Sequence, residues 1–183
     1  GILEDGRLME IIVEDRNDKR QVGNIYLGKV NAVLPGMQAA FVDIGLERSA
    51  FLHVSDIRTG SVDTTRFARS LASGSPASTG EVRDSIEKVL RKGQDILVQV
   101  TKEPIGTKGA RVTTRISIAG RYIVSMPGES VTGISRKISD RRERARLRKV
   151  LSEVKIPGFG IIARTAGVSQ DEKAFRTDMN RIV

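Results

Sequence analysis

Residues 24–53 read NIYLGKVNAVLPGMQAAFVDIGLERSAFLH, and the period of this stretch decides the fold. Short strand signals occupy residues 24–33, 37–44 and 49–53, separated by Leu34-Pro35-Gly36 and Gly45-Leu46-Glu47-Arg48, both of turn composition. In Ala40-Phe41-Val42-Asp43-Ile44 the alternate residues Ala40, Val42 and Ile44 are apolar, so Phe41 shares the opposite face with Asp43. The same count in Ser49-Ala50-Phe51-Leu52-His53 groups Ala50 with Leu52 and sets Phe51 beside Ser49 and His53. The stretch therefore predicts a β-meander whose polar face carries two phenylalanines.

Strand signals resume at residues 95–102 and 110–118, on either side of the loop Glu103-Pro104-Ile105-Gly106-Thr107-Lys108-Gly109. Five strands at this spacing predict a mixed α+β chain built on a small five-stranded OB-type β-barrel, whose strand 2 and 3 face binds oligonucleotides. Phe41 and Phe51, outward on adjacent strands, would form a platform for unpaired bases, worth about 1–3 kcal/mol per stacked base. The alternative is that loops or another domain cover them. Lys108 in the loop and Lys102 at the preceding strand end are candidate phosphate contacts, or ordinary surface lysines. His53, the single histidine, can stack or hydrogen-bond but has no partners for a catalytic triad.

On the N-terminal side, residues 7–13 read as a strand without a nearby partner. Residues 59–80 contain the low-complexity run at 70–80, which is expected to be a mobile insertion, and residues 84–90 can form one or two helical turns. Beyond the barrel, a strand is expected at residues 122–126. A helix then begins at Asp140, which with Glu143 resembles a capping box, and ends before Pro157-Gly158. Its apolar stripe is Leu147, Val150, Leu151 and Val154, which leaves Arg141, Arg142, Arg144 and Arg148 largely towards solvent. The apolar strand at residues 158–163 ends in Arg164-Thr165-Ala166-Gly167, where a guanidinium fork and a hydroxyl suit a terminal phosphate. An ordinary strand-end turn has the same composition.

Composition narrows the function. The 183 residues carry a net charge of +9, with no Cys, no Trp and one His. That excludes a disulfide framework, a thiol nucleophile, a Cys-based metal site and any two-histidine mechanism, and it fits a reducing cytoplasm. No run approaches the roughly 18 apolar residues of a membrane span, and Gly1 opens no signal peptide. The charge is uneven: residues 1–19 carry −3, residues 20–114 carry +4 and residues 115–183 carry +8. The densest basic run, residues 136–149, has 8 basic and 2 acidic side chains, which favours a polyanionic partner unless it is only a solvated helix face. Arg136 and Lys137, which open it, are further RNA-binding candidates. No catalytic constellation or metal site is legible among the scattered acids.

Several blocks resemble, in the right order, the N-terminal region of the bacterial ribonuclease E/G family. They are Gly23-Asn24-Ile25-Tyr26-Leu27-Gly28-Lys29-Val30, residues 37–45, Ser49-Ala50-Phe51-Leu52, Thr107-Lys108-Gly109, Ile118-Ala119-Gly120-Arg121-Tyr122, residues 133–138 and Arg164-Thr165-Ala166-Gly167. The resemblance implies a single-strand-specific endoribonuclease that prefers RNA with a 5′-monophosphate and acts in RNA processing and decay. It implies residues 1–19 as the first strands of an RNase H-like domain, 20–114 as the inserted OB-type domain and 115–183 as most of a 5′-sensor domain. The family's RNA-contacting positions fall on Phe41, Phe51 and Lys108. Its phosphate-sensing positions fall on Arg164 and Thr165, with Gly120 and Val124 lining the same pocket. The family's Mg2+-binding carboxylates and the cysteines that share Zn2+ between subunits of a homo-oligomer lie beyond the matched blocks. The chain, which also opens without an initiator Met, is therefore expected to be a cytoplasmic enzyme's RNA-binding piece that does not cut RNA alone. A non-catalytic single-stranded RNA-binding adaptor is the second reading. A scaffold whose basic helix binds an anionic membrane or an acidic protein is the third.

Overall fold

The computed structural model describes residues 2–4, 7–10, 20–58, 67–69, 72–74 and 85–182. Strands β1 (Ile2–Glu4) and β2 (Arg7–Glu10) pair antiparallel, with Leu3 opposite Leu8 and Glu4 opposite Arg7. The expectation that the strand at residues 7–13 has no nearby partner is thus corrected. Asp5-Gly6, between the two strands, is a dipeptide that favours two-residue hairpin connections, so the partner is the preceding segment itself.

Strands β3 (Ile25–Leu34), β4 (Ala39–Asp43), β5 (Ala50–His53), β6 (Asp95–Lys102) and β7 (Arg111–Thr113) form a closed barrel in the order β3-β4-β5-β7-β6. All pairs are antiparallel except β5 with β7. Alternation along the strands sends Val30, Ala40, Val42, Ala50, Leu52, Ile96, Val98, Val100 and Val112 inward, each no more than 1% exposed. The short helix α1 (Ile86–Val89) adds Ile86 and Leu90 to this core. Gly28 stands where β3 passes close to β4: a Cβ there would lie 2.7 Å from the Asp43 carbonyl oxygen.

Ile118 does not extend the fifth barrel strand as its apolar character suggests. It begins β8 (Ile118–Ala119) of a second sheet, ordered β10-β11-β9-β8, with β9 (Ile123–Pro127), β10 (Thr132–Ile134) and β11 (Phe159–Ala163). The buried Gln99 side chain fixes this departure: it accepts from Ser117 N at 2.8 Å and donates to the carbonyls of Ser117 and Gly23. β10 and β11 are parallel and are joined through α2 (Arg141–Val154), which packs with α3 (Glu172–Ile182) on the sheet. The second core contains Ile123, Leu147, Leu151, Ile161, Phe175 and Met179.

Asp140 caps α2, its carboxylate accepting from Arg142 N at 2.7 Å and Glu143 N at 3.0 Å. The capping box is only half formed, because Glu143 turns to other partners described below. Of the arginines expected in solvent, Arg141, Arg142 and Arg148 are exposed, whereas Arg144 donates to the carbonyls of Ser135 and Ile138, both at 3.0 Å. Most of residues 59–80 lie outside the described residues. Within that range Phe67 is buried beside Gly128 and Gly74 lies against Pro157, so these parts pack against turns that flank β9 and β11.

Arg58 joins the two units. It is 3% exposed, and its guanidinium donates to the Pro127 and Gly128 carbonyls while facing Glu129 at 3.4 Å. Burial pushes its pKa below the ordinary arginine value, against the attraction of Glu129. Arg58→Ala leaves those carbonyls and Glu129 without the cation, and is expected to cost about 3 kcal/mol. Urea denaturation that shows an unchanged midpoint would refute this role.

Candidate nucleic-acid interface

Phe41 and Phe51 are direct cross-strand partners on β4 and β5, and both are half-buried on the outside of the barrel. Their ring centroids are 6.1 Å apart with planes inclined at 67°, an edge-to-face pair. They line a groove of about 690 Å³ together with Lys102, Lys108, Met37 and Ile105. Met37 and Ile105 are 58% and 73% exposed, unusual for large apolar side chains. Among the described residues the ammonium groups of Lys102 and Lys108 make no ion pair or hydrogen bond. Two arginines also line the groove and both are engaged: Arg48 donates to the Gly106 carbonyl, and Arg111 Nε and Nη2 donate to Asp56 Oδ2 at 3.0 and 2.7 Å. The cavity thus offers aromatic and aliphatic walls with two unengaged positive charges at one side, a combination suited to a base and its phosphates. His53 has a structural role beside it, accepting from Ser55 N at 3.2 Å as the cap of a short turn. Arg136 and Lys137 are exposed in the turn after β10, on the second sheet and apart from this groove.

A second candidate site lies at the end of β11. Arg164 is exposed, its backbone N donates to the Tyr122 carbonyl at 2.7 Å, and its guanidinium donates to the Gly120 carbonyl. Thr165, also exposed, opens the short turn Thr165–Gly167. Val124 is paired with Ile162 of β11 and Ala119 of β8. Ile123 and Ala163 pair and are buried against the helices, so Val124 and Ile162 occupy the sheet's other face, and continued alternation puts Arg164 on that face too. Arg164 thus shares a face with Val124 and reaches Gly120 only through that residue's carbonyl oxygen, the Gly120 Cα itself facing Asp178 on α3.

Two carboxylates organise this region, and the backbone partners of neither are legible from spacing alone. Asp178 on α3, 6% exposed, accepts from the N–H groups of Arg121, Tyr122 and Ile123 at 3.0, 2.7 and 3.1 Å. It also closes off Gly120, where a Cβ would stand 2.8 Å from its Cγ. Glu143 accepts from Arg146 Nε and Nη2, both at 2.7 Å, and from Ser169 N at 3.0 Å, while Arg146 Nη1 donates to the Gln170 carbonyl. The i,i+3 spacing of Glu143 and Arg146 was the available signal for the first contact. The reach to Ser169, just past the Thr165–Gly167 turn, depends on tertiary packing.

The described residues contain no group of three or more His, Cys, Asp or Glu that could hold a metal ion. No described helix is long and apolar enough to cross a membrane.

Comparison with known proteins matches residues 19–115 to the S1 RNA binding domain and residues 117–183 to the ribonuclease E/G family. The chain carries a ribonuclease E/G family domain behind an S1 domain. It is 47% identical to ribonuclease G of Escherichia coli K12 over 174 residues, which cover 94% of this chain and 34% of that protein. Ribonuclease G of Haemophilus influenzae is 44% identical over 93% of the chain and 33% of its own length. Ribonuclease E of Escherichia coli K12 is 39% identical over 97% of the chain and 16% of its own length. The chain spans about a third of these ribonuclease G relatives.

The carboxyl of Glu143 titrates at about 2 instead of 4.5, first because Arg146 donates to it and second because Ser169 N does. A depressed folded-state pKa stabilises the fold above 4.5, and that stabilisation is lost as pH falls towards 2. Thermal unfolding is therefore expected to drop over this interval, and Glu143→Gln to lower the midpoint at neutral pH while flattening the acid decline. Parallel pH profiles for the two proteins would contradict the assignment.

Proposed function

We propose that this chain is the RNA-binding and 5′-monophosphate-sensing part of an endoribonuclease that acts in RNA processing and decay. The observation that carries the proposal is the Phe41–Phe51 pair, set in a groove beside Lys102 and Lys108. An unpaired base can stack there, and the two ammonium groups can neutralise flanking phosphates. A duplex keeps its bases stacked internally, so the site favours single strands. The ribonuclease E/G family domain and the S1 match support RNA as the polymer.

In this reading residues 20–114 form the RNA-binding domain, residues 115–183 most of the sensor, and the β1–β2 hairpin the first strands of an RNase H-like domain. Arg164 would move its guanidinium from the Gly120 carbonyl, or share it, to bind two phosphate oxygens, and Thr165 would add a hydroxyl donor. Arg136 and Lys137 would meet RNA away from the groove. Hydrolysis would use Mg2+ held by residues outside this chain, in a cytoplasmic homo-oligomer bridged through Zn2+.

Fluorescence anisotropy with labelled oligoribonucleotides tests the reading. Replacing both Phe41 and Phe51 by Ala is expected to weaken single-strand binding about tenfold or more, the loss of at least one stacked base. Unchanged affinity would refute the groove assignment. Arg164→Ala is expected to abolish the preference for 5′-monophosphate over 5′-hydroxyl RNA while retaining binding to internal single strands. Equal losses for both RNAs would make Arg164 a general phosphate or structural contact. The purified chain is expected not to cleave RNA with Mg2+ present, and cleavage would overturn the proposed separation of binding from chemistry.

A further inference from the structure

The loop at residues 103–109 carries both Ile105 and Lys108 to the groove, and its conformation is held at several separate points. At its start, Glu103 Oε1 accepts from Gln21 N at 2.7 Å and Val22 N at 2.8 Å. At its end, Gly109 lies against Ser49 so closely that a Cβ would meet the Ser49 carbonyl oxygen, and Phe51 N donates to the Ala110 carbonyl at 2.7 Å. In the middle, Ile105 and Lys108 exchange backbone hydrogen bonds at 3.2 and 3.0 Å. These contacts fix the ends and close the turn, but they leave its tip, exposed Gly106 and Thr107, projecting from the barrel. The tip is reached from the turn between β4 and β5, where the Arg48 guanidinium donates to the Gly106 carbonyl.

We infer that Arg48 is a positioning residue for RNA binding: its hydrogen bond to the Gly106 carbonyl sets the 103–109 loop so that Lys108 and Ile105 stand beside the Phe41–Phe51 pair. This rests on the reading of the groove as the RNA site. An exposed glycine-containing loop tip samples many conformations unless tied down, and each one removed before binding lowers the entropy cost of binding RNA. The ammonium of Lys108 has no partner among the described residues, so the backbone of its turn is what defines its position. Arg48 bridges the two turns that flank the aromatic pair, the β4–β5 turn and the β6–β7 loop. Arg111 does not compete for this role, since its guanidinium is held by Asp56.

The test is a double-mutant cycle on the 183-residue chain, with a labelled 5′-hydroxyl single-stranded oligoribonucleotide as probe. Arg48→Ala is expected to weaken binding about fivefold, the usual worth of one hydrogen bond. In a Lys108→Ala background the same change should add less than about twofold, because Arg48 acts through the loop that presents Lys108. Arg48→Lys, which retains one donor for the carbonyl, should recover most of the affinity. Amide hydrogen exchange should quicken at Ile105 and Lys108 in Arg48→Ala, while the barrel amides of Leu52 and Val98 stay protected. Additive losses, or lost affinity with unchanged loop exchange, would make Arg48 a direct phosphate contact and overturn the inference. Unchanged affinity in Arg48→Ala overturns it as well, if Phe41→Ala with Phe51→Ala still weakens binding. If those phenylalanine changes also have no effect, the groove reading itself falls, and the positioning role with it.

Discussion

Closure of the barrel through the β3–β6 pairing is the constraint on which the rest depends. A closed sheet has one interior, and small and branched aliphatic side chains from all five strands fill it. The phenylalanines of β4 and β5, one position out of phase with that filling, are then obliged to stand outside. Their cross-strand register brings the rings edge to face, and the parallel β5–β7 contact sets Phe51 opposite Arg111 at the rim of the same groove. The groove is thus a consequence of where the interior ended.

The second sheet is organised differently, by carboxylates and guanidinium groups bound to backbone. Asp178 gathers three consecutive N–H groups around residues 121–123, and Glu143 with Arg146 ties the start of α2 to the segment after Thr165–Gly167. Both ties converge on the backbone that presents Gly120, Arg164 and Thr165. Charge-assisted hydrogen bonds of this kind hold a turn more firmly than apolar packing can, since a turn buries little apolar surface. Arg58 acts in the same way between the units, donating to two carbonyls.

These uses alter the meaning of the basic composition. The run at residues 136–149 has 8 cationic side chains, but Arg144 holds the Ser135 and Ile138 carbonyls and Arg146 holds Glu143 and the Gln170 carbonyl. Part of what reads as a polyanion-binding helix is internal scaffolding. In the groove, conversely, Lys102 and Lys108 come from an unremarkable region of the charge profile, and they are its cations without an ion pair or hydrogen bond among the described residues.

The period-two pattern of residues 39–53 by itself determined the inward set of Ala40, Val42, Ile44, Ala50 and Leu52 and the outward placement of Phe41 and Phe51, because strand alternation is a local rule of backbone geometry. The apolar stripe of α2 and its Asp140 cap were legible for the same reason. Tertiary structure alone decided the rest: that Ile118 leaves the barrel for the second sheet, that residues 7–10 pair with residues 2–4, and that Glu143 serves Arg146 and Ser169 instead of completing its capping box. It also decided that Arg48 reaches Gly106, that Arg58 is buried between the units and that Arg164 rests on Gly120. Each of these contacts joins residues through a side chain with several possible partners or a chain path with several possible continuations. Local spacing cannot choose among them; the packing of whole elements brings one partner within hydrogen-bond reach and removes the others.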